Sequence, residues 1–271
     1  MDEKSALGIS DLLSRAEQGL EITTRDDQSE FSAFLDAAKT CRRRGGRLRL
    51  VDGGKFNVFE LEWLAEAGAD LYTSDEARPN RTELDLLAKA CARGNAIIAY
   101  FHRGALTEGP ADLPSSWAFL QEIGRSGVDV HLSSRGKPRD LAGLAGLAEA
   151  CRKSGSRFVY YHHGRPEADL EDLARAGGWI HLSDEALGDT DGTLFLSGLF
   201  HEASAAGSGV VLHLEKGLAE EVLRDLLSAG AFLIFKTPPS DRRSRLWSVE
   251  QQGRKRRLDR RSYYLHTTLL P

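Results

Sequence analysis

Four residues with acid–base and metal-ligating chemistry, Asp52, His102, His162 and Glu215, each stand two positions before a glycine (Gly54, Gly104, Gly164, Gly217). Each also stands eleven positions after a small residue: Cys41, Cys91, Cys151 and Ser204. Carboxylates and imidazoles ligate divalent cations and carry protons near neutral pH. If a repeat sets them at one structural position, two imidazoles and two carboxylates converge on one axis, a donor set for Zn²⁺, Mn²⁺ or Fe²⁺. Without a metal, Glu215, His162 and His102, with Lys236, form an acid–base set. A third reading is a duplicated polar layer whose members satisfy one another's hydrogen bonds.

The elements that must position these residues also repeat. The segments AAKTCRRRGGRLRLVDGG, LAKACARGNAIIAYFHRG, LAEACRKSGSRFVYYHHG and HEASAAGSGVVLHLEKG align without gaps from small residue to glycine. Between them lies a second register, AGADLYTS, SGVDVHLS, AGGWIHLS and AGAFLIFK, in which glycine precedes Ser74, Ser133, Ser183 or Lys236 by six positions. Glycine stops a helix by adopting the left-handed cap, so each strand follows a helix. Eight strands are expected near 47–52, 70–75, 96–102, 128–133, 157–162, 179–183, 209–215 and 231–236, joined as parallel βαβ units. This pattern over 29–240 resembles a closed parallel α/β (β/α)8 TIM barrel, and its quarter-barrel repeat is similar to the internally duplicated barrels of histidine biosynthesis. An open doubly wound sheet is the competing architecture. The helix at 29–44 then takes the place of the eighth helix, residues 1–28 form an N-terminal helical extension, and 241–271 form a basic appendage at the barrel mouth.

Alternation along the strands sends Asp52, His102, His162 and Glu215 inward in one layer and Ser74, Ser133, Ser183 and Lys236 inward in the next. Tyr100, Tyr160 and His213, then Tyr72, His131 and His181, lie beneath. Arg49 is a misfit, because this register turns it toward the helices. The ring resembles the two-His, two-carboxylate cluster of metal-dependent sugar-phosphate epimerases, with different strand placement. It is less similar to metal phosphoesterase barrels, since the first strand ends Val51-Asp52-Gly53 rather than in an HxH pair.

Arg103, Arg135, His163, Arg165 and Lys216 follow strand ends, where barrel enzymes bind substrate, and with Ser133 and Ser183 they form the substrate-binding set expected for a small anionic ligand. Lys236 is either a Schiff-base nucleophile or the ion-pair partner of Glu215. No Gly-rich phosphate turn points to a nucleotide cofactor. The chain has 271 residues, 41% of them hydrophobic, and a net charge of −4, which disfavours global attraction to nucleic acid. The absence of a long apolar run or leader pattern excludes a membrane span, and three cysteines at equivalent helix positions point to a reducing, cytoplasmic compartment without disulfides. Residues 242–261 carry nine Lys or Arg against Glu250 and Asp259, a pattern read as two strands around Gly253. Two functions follow. One is a barrel enzyme of isomerase, epimerase, lyase or hydrolase type acting on a small phosphorylated or carboxylated metabolite, with or without a divalent metal. The other is a non-catalytic barrel that binds nucleic acid or protein through the basic segment.

Overall fold

The computed structural model describes residues 8–106, 116–135, 140–187, 191–215, 218–237, 241 and 244–255. Helix α1 (Ile9–Glu17) leads into β1 (Glu21–Arg25), α2 (Phe31–Arg44), β2 (Arg47–Val51), α3 (Val58–Glu66) and β3 (Asp70–Ser74). Then come α4 (Arg81–Gly94), β4 (Ile98–His102), α5 (Ser116–Arg125), β5 (Asp129–Ser133), α6 (Leu141–Ser154) and β6 (Phe158–Tyr161). The described residues continue with α7 (Leu170–Arg175), β7 (Trp179–Ser183), α8 (Asp191–Ala205), β8 (Val210–Leu214), α9 (Glu220–Ala229), β9 (Phe232–Phe235) and α10 (Arg245–Lys255).

The nine strands form one parallel sheet in sequential order, as in the wall of a (β/α) barrel. Among the described residues no ladder joins β9 to β1. All eight expected strands are present, and β1 is added ahead of them, inside the segment expected to be a helical extension. Its signal was in the sequence: Gly19, at φ 69°, precedes Arg25 by the same six positions that separate Gly68 from Ser74. Helix α2 is therefore the crossover from β1 to β2, whose register runs Glu21↔Arg47 to Arg25↔Val51, and not a substitute for a helix after the last strand. That place belongs to α10, which packs on α9 and β9. The hairpin expected around Gly253 is instead a helix up to Lys255, packed against α9 and β9. The rest of the basic segment, 256–271, lies outside the described residues.

The two sheet faces are different. Ile22, Leu48, Leu50, Leu71, Ile98, Val130, Leu132, Ile180 and Leu212 join the helices in one continuous core. Cys41, Cys91 and Cys151 are buried in that core and not joined in disulfides, and burial pushes the Cys41 thiol up to about 11. The opposite face has its own cluster of Val51, Tyr72, Ala99, Phe101, Val159, Tyr161, Trp179 and Val211. These side chains are buried although their cluster includes no helix residue. A sheet that buries its own helix-free face is curved, with its side chains converging. The Tyr72 hydroxyl, three strands from Tyr161, lies near enough to help burial push the Tyr161 phenol up.

Close helix packing depends on Gly94, where an added Cβ would stand 1.9 Å from the Ala65 carbonyl oxygen and 2.8 Å from the Glu66 Cα. Gly94→Ala is expected to push α4 off α3 and cost about 1–3 kcal/mol. Chemical denaturation reads this, and a midpoint equal to wild type would show that the helices yield freely.

Candidate functional site

The structure realigns the fourth repeat by one residue. Helices α2, α4 and α6 end in left-handed caps at Gly45, Asn95 and Gly155, four positions after their cysteines, and Gly207 (φ 74°) stands four positions after Ala203. The N–H of Gly46 donates to Cys41 O (2.9 Å), that of Ala96 to Cys91 O (2.8 Å) and that of Ser208 to Ala203 O (2.8 Å). Strand register agrees, pairing Arg25↔Val51, Ser74↔Phe101, Ser133↔Tyr161 and Ser183↔His213. The equivalent of Asp52, His102 and His162 is therefore Leu214, not Glu215.

This register also reverses the expected facing. Asp52, His102 and His162 share a face with Leu50, Tyr100 and Tyr160, which lie in the helix-side core. Tyr100 and Tyr160 are thus corrected from inside to outside. Arg49 moves the other way, onto the helix-free face, where Nη2 bonds Glu21 Oε2 at 2.8 Å, and the misfit disappears. The four-residue ring does not form. Among the described residues no group of three or more His, Cys, Asp or Glu is placed to hold a metal ion, so the donor set does not fit one.

Asp52 is held in a buried fork. Arg78 Nε donates to its Oδ2 (2.9 Å) and Arg78 Nη2 to its Oδ1 (3.1 Å), while Thr73 Oγ1 and the Gly54 N–H donate at 2.8 and 3.0 Å. Arg78 also donates to the Phe56 carbonyl. Burial works against the Arg78 charge, but the hydrogen bonds and negative charges of Asp52 and Glu83 together outweigh it and raise the guanidinium's pKa. Four donors use the carboxylate fully, which makes Asp52 a structural anchor.

A second device was missed in the sequence. The residue after each of β1, β3, β5 and β7 (Asp26, Asp75, Ser134, Asp184) accepts backbone N–H groups from the loop after the next strand. Asp26 Oδ2 takes Gly53 (2.9 Å) and Lys55 (2.8 Å). Asp75 takes Arg103 (3.0 Å) and Gly104 (2.7 Å). Ser134 Oγ takes His163 (2.8 Å), and Asp184 Oδ1 takes Glu215 (2.8 Å). The position one beyond the second glycine register would have revealed it.

At the second of these latches the carboxylate also meets an imidazole. His102 Nδ1 lies 3.0 Å from Asp75 Oδ2. Burial alone would push Asp75 up, but the contacts from His102, Gly104 and Arg103 bring it down to about 2. A cavity of about 350 Å³ opens beside the pair, lined by Asp75, Glu76, Arg103 and Gly104. Gly104 is the thin wall between cavity and imidazole: a Cβ there would be 3.6 Å from His102 Cε1 and 3.9 Å from Nε2. Arg103 Nη1 reaches Glu76 Oε2 at 2.7 Å.

The remaining candidates are dispersed. His162 Nε2 lies 3.1 Å from the Arg165 carbonyl oxygen, and the repeat sets Ser134 where a carboxylate would face it. Glu215 and Lys236 form an exposed ion pair, and that bond raises the Lys236 pKa, which keeps it a cation rather than a nucleophile. Ser133 and Ser183 spend their hydroxyl oxygens on the N–H groups of Arg135 and Glu185, both at 3.2 Å. Arg135 and Arg165 are exposed at the mouth, and Lys216 lies outside the described residues. The helix-free face carries an aromatic and imidazole stripe across six strands: Tyr72, Phe101, His131, Tyr161, His181 and His213. His131 Nδ1 and the Tyr161 hydroxyl are 2.9 Å apart, as are His181 Nδ1 and His213 Nε2. Of these, Phe101 and Tyr161 were missed by the sequence register.

No family model and no curated protein matches the chain. Among solved structures it is similar to a mandelate racemase/muconate lactonizing protein from Herpetosiphon aurantiacus, at 18% identity and TM-score 0.37, over 80% of this chain and 54% of that one. The chain thus spans about half the length of that protein. It is also similar to 3-keto-L-gulonate-6-phosphate decarboxylase from Vibrio cholerae (12% identity, TM-score 0.37, 77% and 97% covered). A third likeness is to an HpcH/HpaI aldolase/citrate lyase family protein from Burkholderia cenocepacia (12% identity, TM-score 0.34, 83% and 91% covered). At such values the likeness says nothing about chemistry, and the functional reading rests on the geometry of this chain. No helix of the described residues is long and apolar enough to cross a membrane.

Proposed function

We propose that this chain is a barrel-type enzyme that moves a proton on a small anionic metabolite, in an isomerase or lyase type of reaction. The observation that carries this is the Asp75–His102 pair beside the cavity at the C-terminal ends of the strands. The Asp75 carboxylate beside Nδ1 stabilises the imidazolium, which leaves Nε2, buried behind Gly104, as the proton-exchanging atom. The backbone N–H groups of Arg103 and Gly104 hold the carboxylate in place. Arg103 can exchange Glu76, an exposed partner worth at most about 1 kcal/mol, for a substrate carboxylate or phosphate. No step is routed through a metal.

The test is deuterium incorporation from D₂O into a panel of small phosphorylated and carboxylated keto and hydroxy compounds, followed by NMR. Wild type is expected to exchange a carbon-bound proton in at least one compound, and His102→Asn to slow it by about 100-fold with an unchanged thermal midpoint. Equal rates in both proteins, or no exchange with any compound, would reject the assignment.

A further inference from the structure

The four latch sites are structurally equivalent, and three of them carry an acid pair: Asp26-Asp27, Asp75-Glu76 and Asp184-Glu185. The third site alone reads Ser134-Arg135. Its loop partner also departs from the second repeat, with His163-Gly164-Arg165 where the other has Arg103-Gly104-Ala105. Relative to the Asp75 site, two carboxylates are lost and one guanidinium is gained on the strand side, while on the loop side the guanidinium moves from position 103 to the equivalent of 105, at Arg165, and an imidazole, His163, takes the place of Arg103.

The strand ladder and one hydrogen bond bring the loops that carry these groups together. Ser133 pairs with Tyr161, and the Ser134 hydroxyl oxygen accepts the His163 N–H at 2.8 Å, tying the loops after β5 and β6. That hydroxyl keeps its own proton to donate. At the Asp75 site the carboxylate also takes the N–H of Gly104, whereas the N–H of Gly164, its equivalent, has no such acceptor among the described residues. Gly164 is at φ 100°, a left-handed turn of the kind that turns successive N–H groups toward one anion. The guanidinium groups of Arg135 and Arg165 are exposed, and neither has an acid partner among the described residues.

We infer that the Ser134, Arg135, Gly164 and Arg165 cluster between the ends of β5 and β6 is an anion subsite that takes the phosphate group of a phosphorylated metabolite. Two guanidinium forks, a hydroxyl donor and a backbone N–H match the acceptors of a tetrahedral dianion better than those of a planar carboxylate. The assignment rests on the proposed reaction at His102 and names its substrate class. Two strand spacings of ~4.8 Å separate this subsite from the Asp75–His102 pair, so a ligand spanning roughly 10 Å reaches both.

Isothermal titration of the full-length protein with inorganic phosphate tests the inference, with acetate as the carboxylate probe. Saturable phosphate binding is expected, weakened about tenfold or more by Arg135→Ala and by Arg165→Ala, each an exposed side chain. Ser134→Asp restores the residue type of the other three sites, so it is expected to fold while abolishing phosphate binding. His102→Asn is expected to bind phosphate as wild type does, which separates this subsite from the catalytic assignment. Phosphate that fails to saturate, an affinity unchanged in all three subsite variants, or acetate binding more tightly than phosphate would each overturn it.

Discussion

Asp52→Ala is expected to lower the unfolding free energy by about 3–5 kcal/mol, because it takes from the buried Arg78 guanidinium its main counter-charge and leaves only the longer 3.5 Å contact to Glu83. The cost is far larger than for an exposed pair, since both Asp52 and Arg78 are buried. Removing both partners in Asp52→Leu/Arg78→Leu is expected to recover part of the loss, as nothing charged is then left buried. Urea unfolding of the three proteins measures this. A single-variant loss below about 1 kcal/mol would mean that the fork is not the anchor its bonds imply. A wild-type midpoint that rises on adding Zn²⁺ or Mn²⁺, and does so no longer in the variant, would return Asp52 to a metal site.

The second large effect is acid sensitivity arising at His131. This imidazole is buried on the helix-free face, its ring tilted against that of Phe101 with centroids 4.3 Å apart, and its Nε2 has no hydrogen-bond partner among the described residues. Burial, helped by the charge of Arg157, pushes its pKa down to about 3. The unfolded chain binds the proton near pH 6.5 and the folded chain does not, so this contribution is complete above pH 6.5 and falls as pH drops toward 3. The slope is about 1.4 kcal/mol per pH unit, or roughly 3 kcal/mol at pH 4.5. His131→Phe keeps a ring against Phe101 and removes the titration. The stability difference between wild type and this variant is therefore expected to narrow or reverse on acidification. Parallel pH profiles from urea titrations at pH 7 and 4.5 would contradict the account.

Much of the architecture was readable because helix stops and strand ends leave local marks. The glycine six positions before a strand end located β3, β5, β7 and β9, and applied to Gly19 it locates β1 as well. The cysteines were legible as packing residues for the same reason: helix period and small size fix their place. The ring failed on a parity argument. Aligning Ser204 with the cysteines, when Ala203 holds the equivalent place before the cap at Gly207, moved Glu215 one residue and hence to the other face. For Asp52, His102 and His162, the inward assignment was wrong because a barrel strand is buried on each side, so apolar neighbours on both faces gave no signal of direction.

What the sequence alone determined is the succession of parallel βα units, their quarter repeat and the set of polar residues at strand ends. Those follow from periodicities of two and 3.6 residues, which any local reading can sense. Which polar residues meet was decided by the tertiary structure. Asp75 stands 27 positions before His102, and only the parallel register of β3 on β4 brings its carboxylate within 3.0 Å of that imidazole. The register of β2 on β3 likewise gives Asp52 to Arg78 rather than to a shared ring. Strand order and facing are properties of the sheet as a whole, so no single segment carries them.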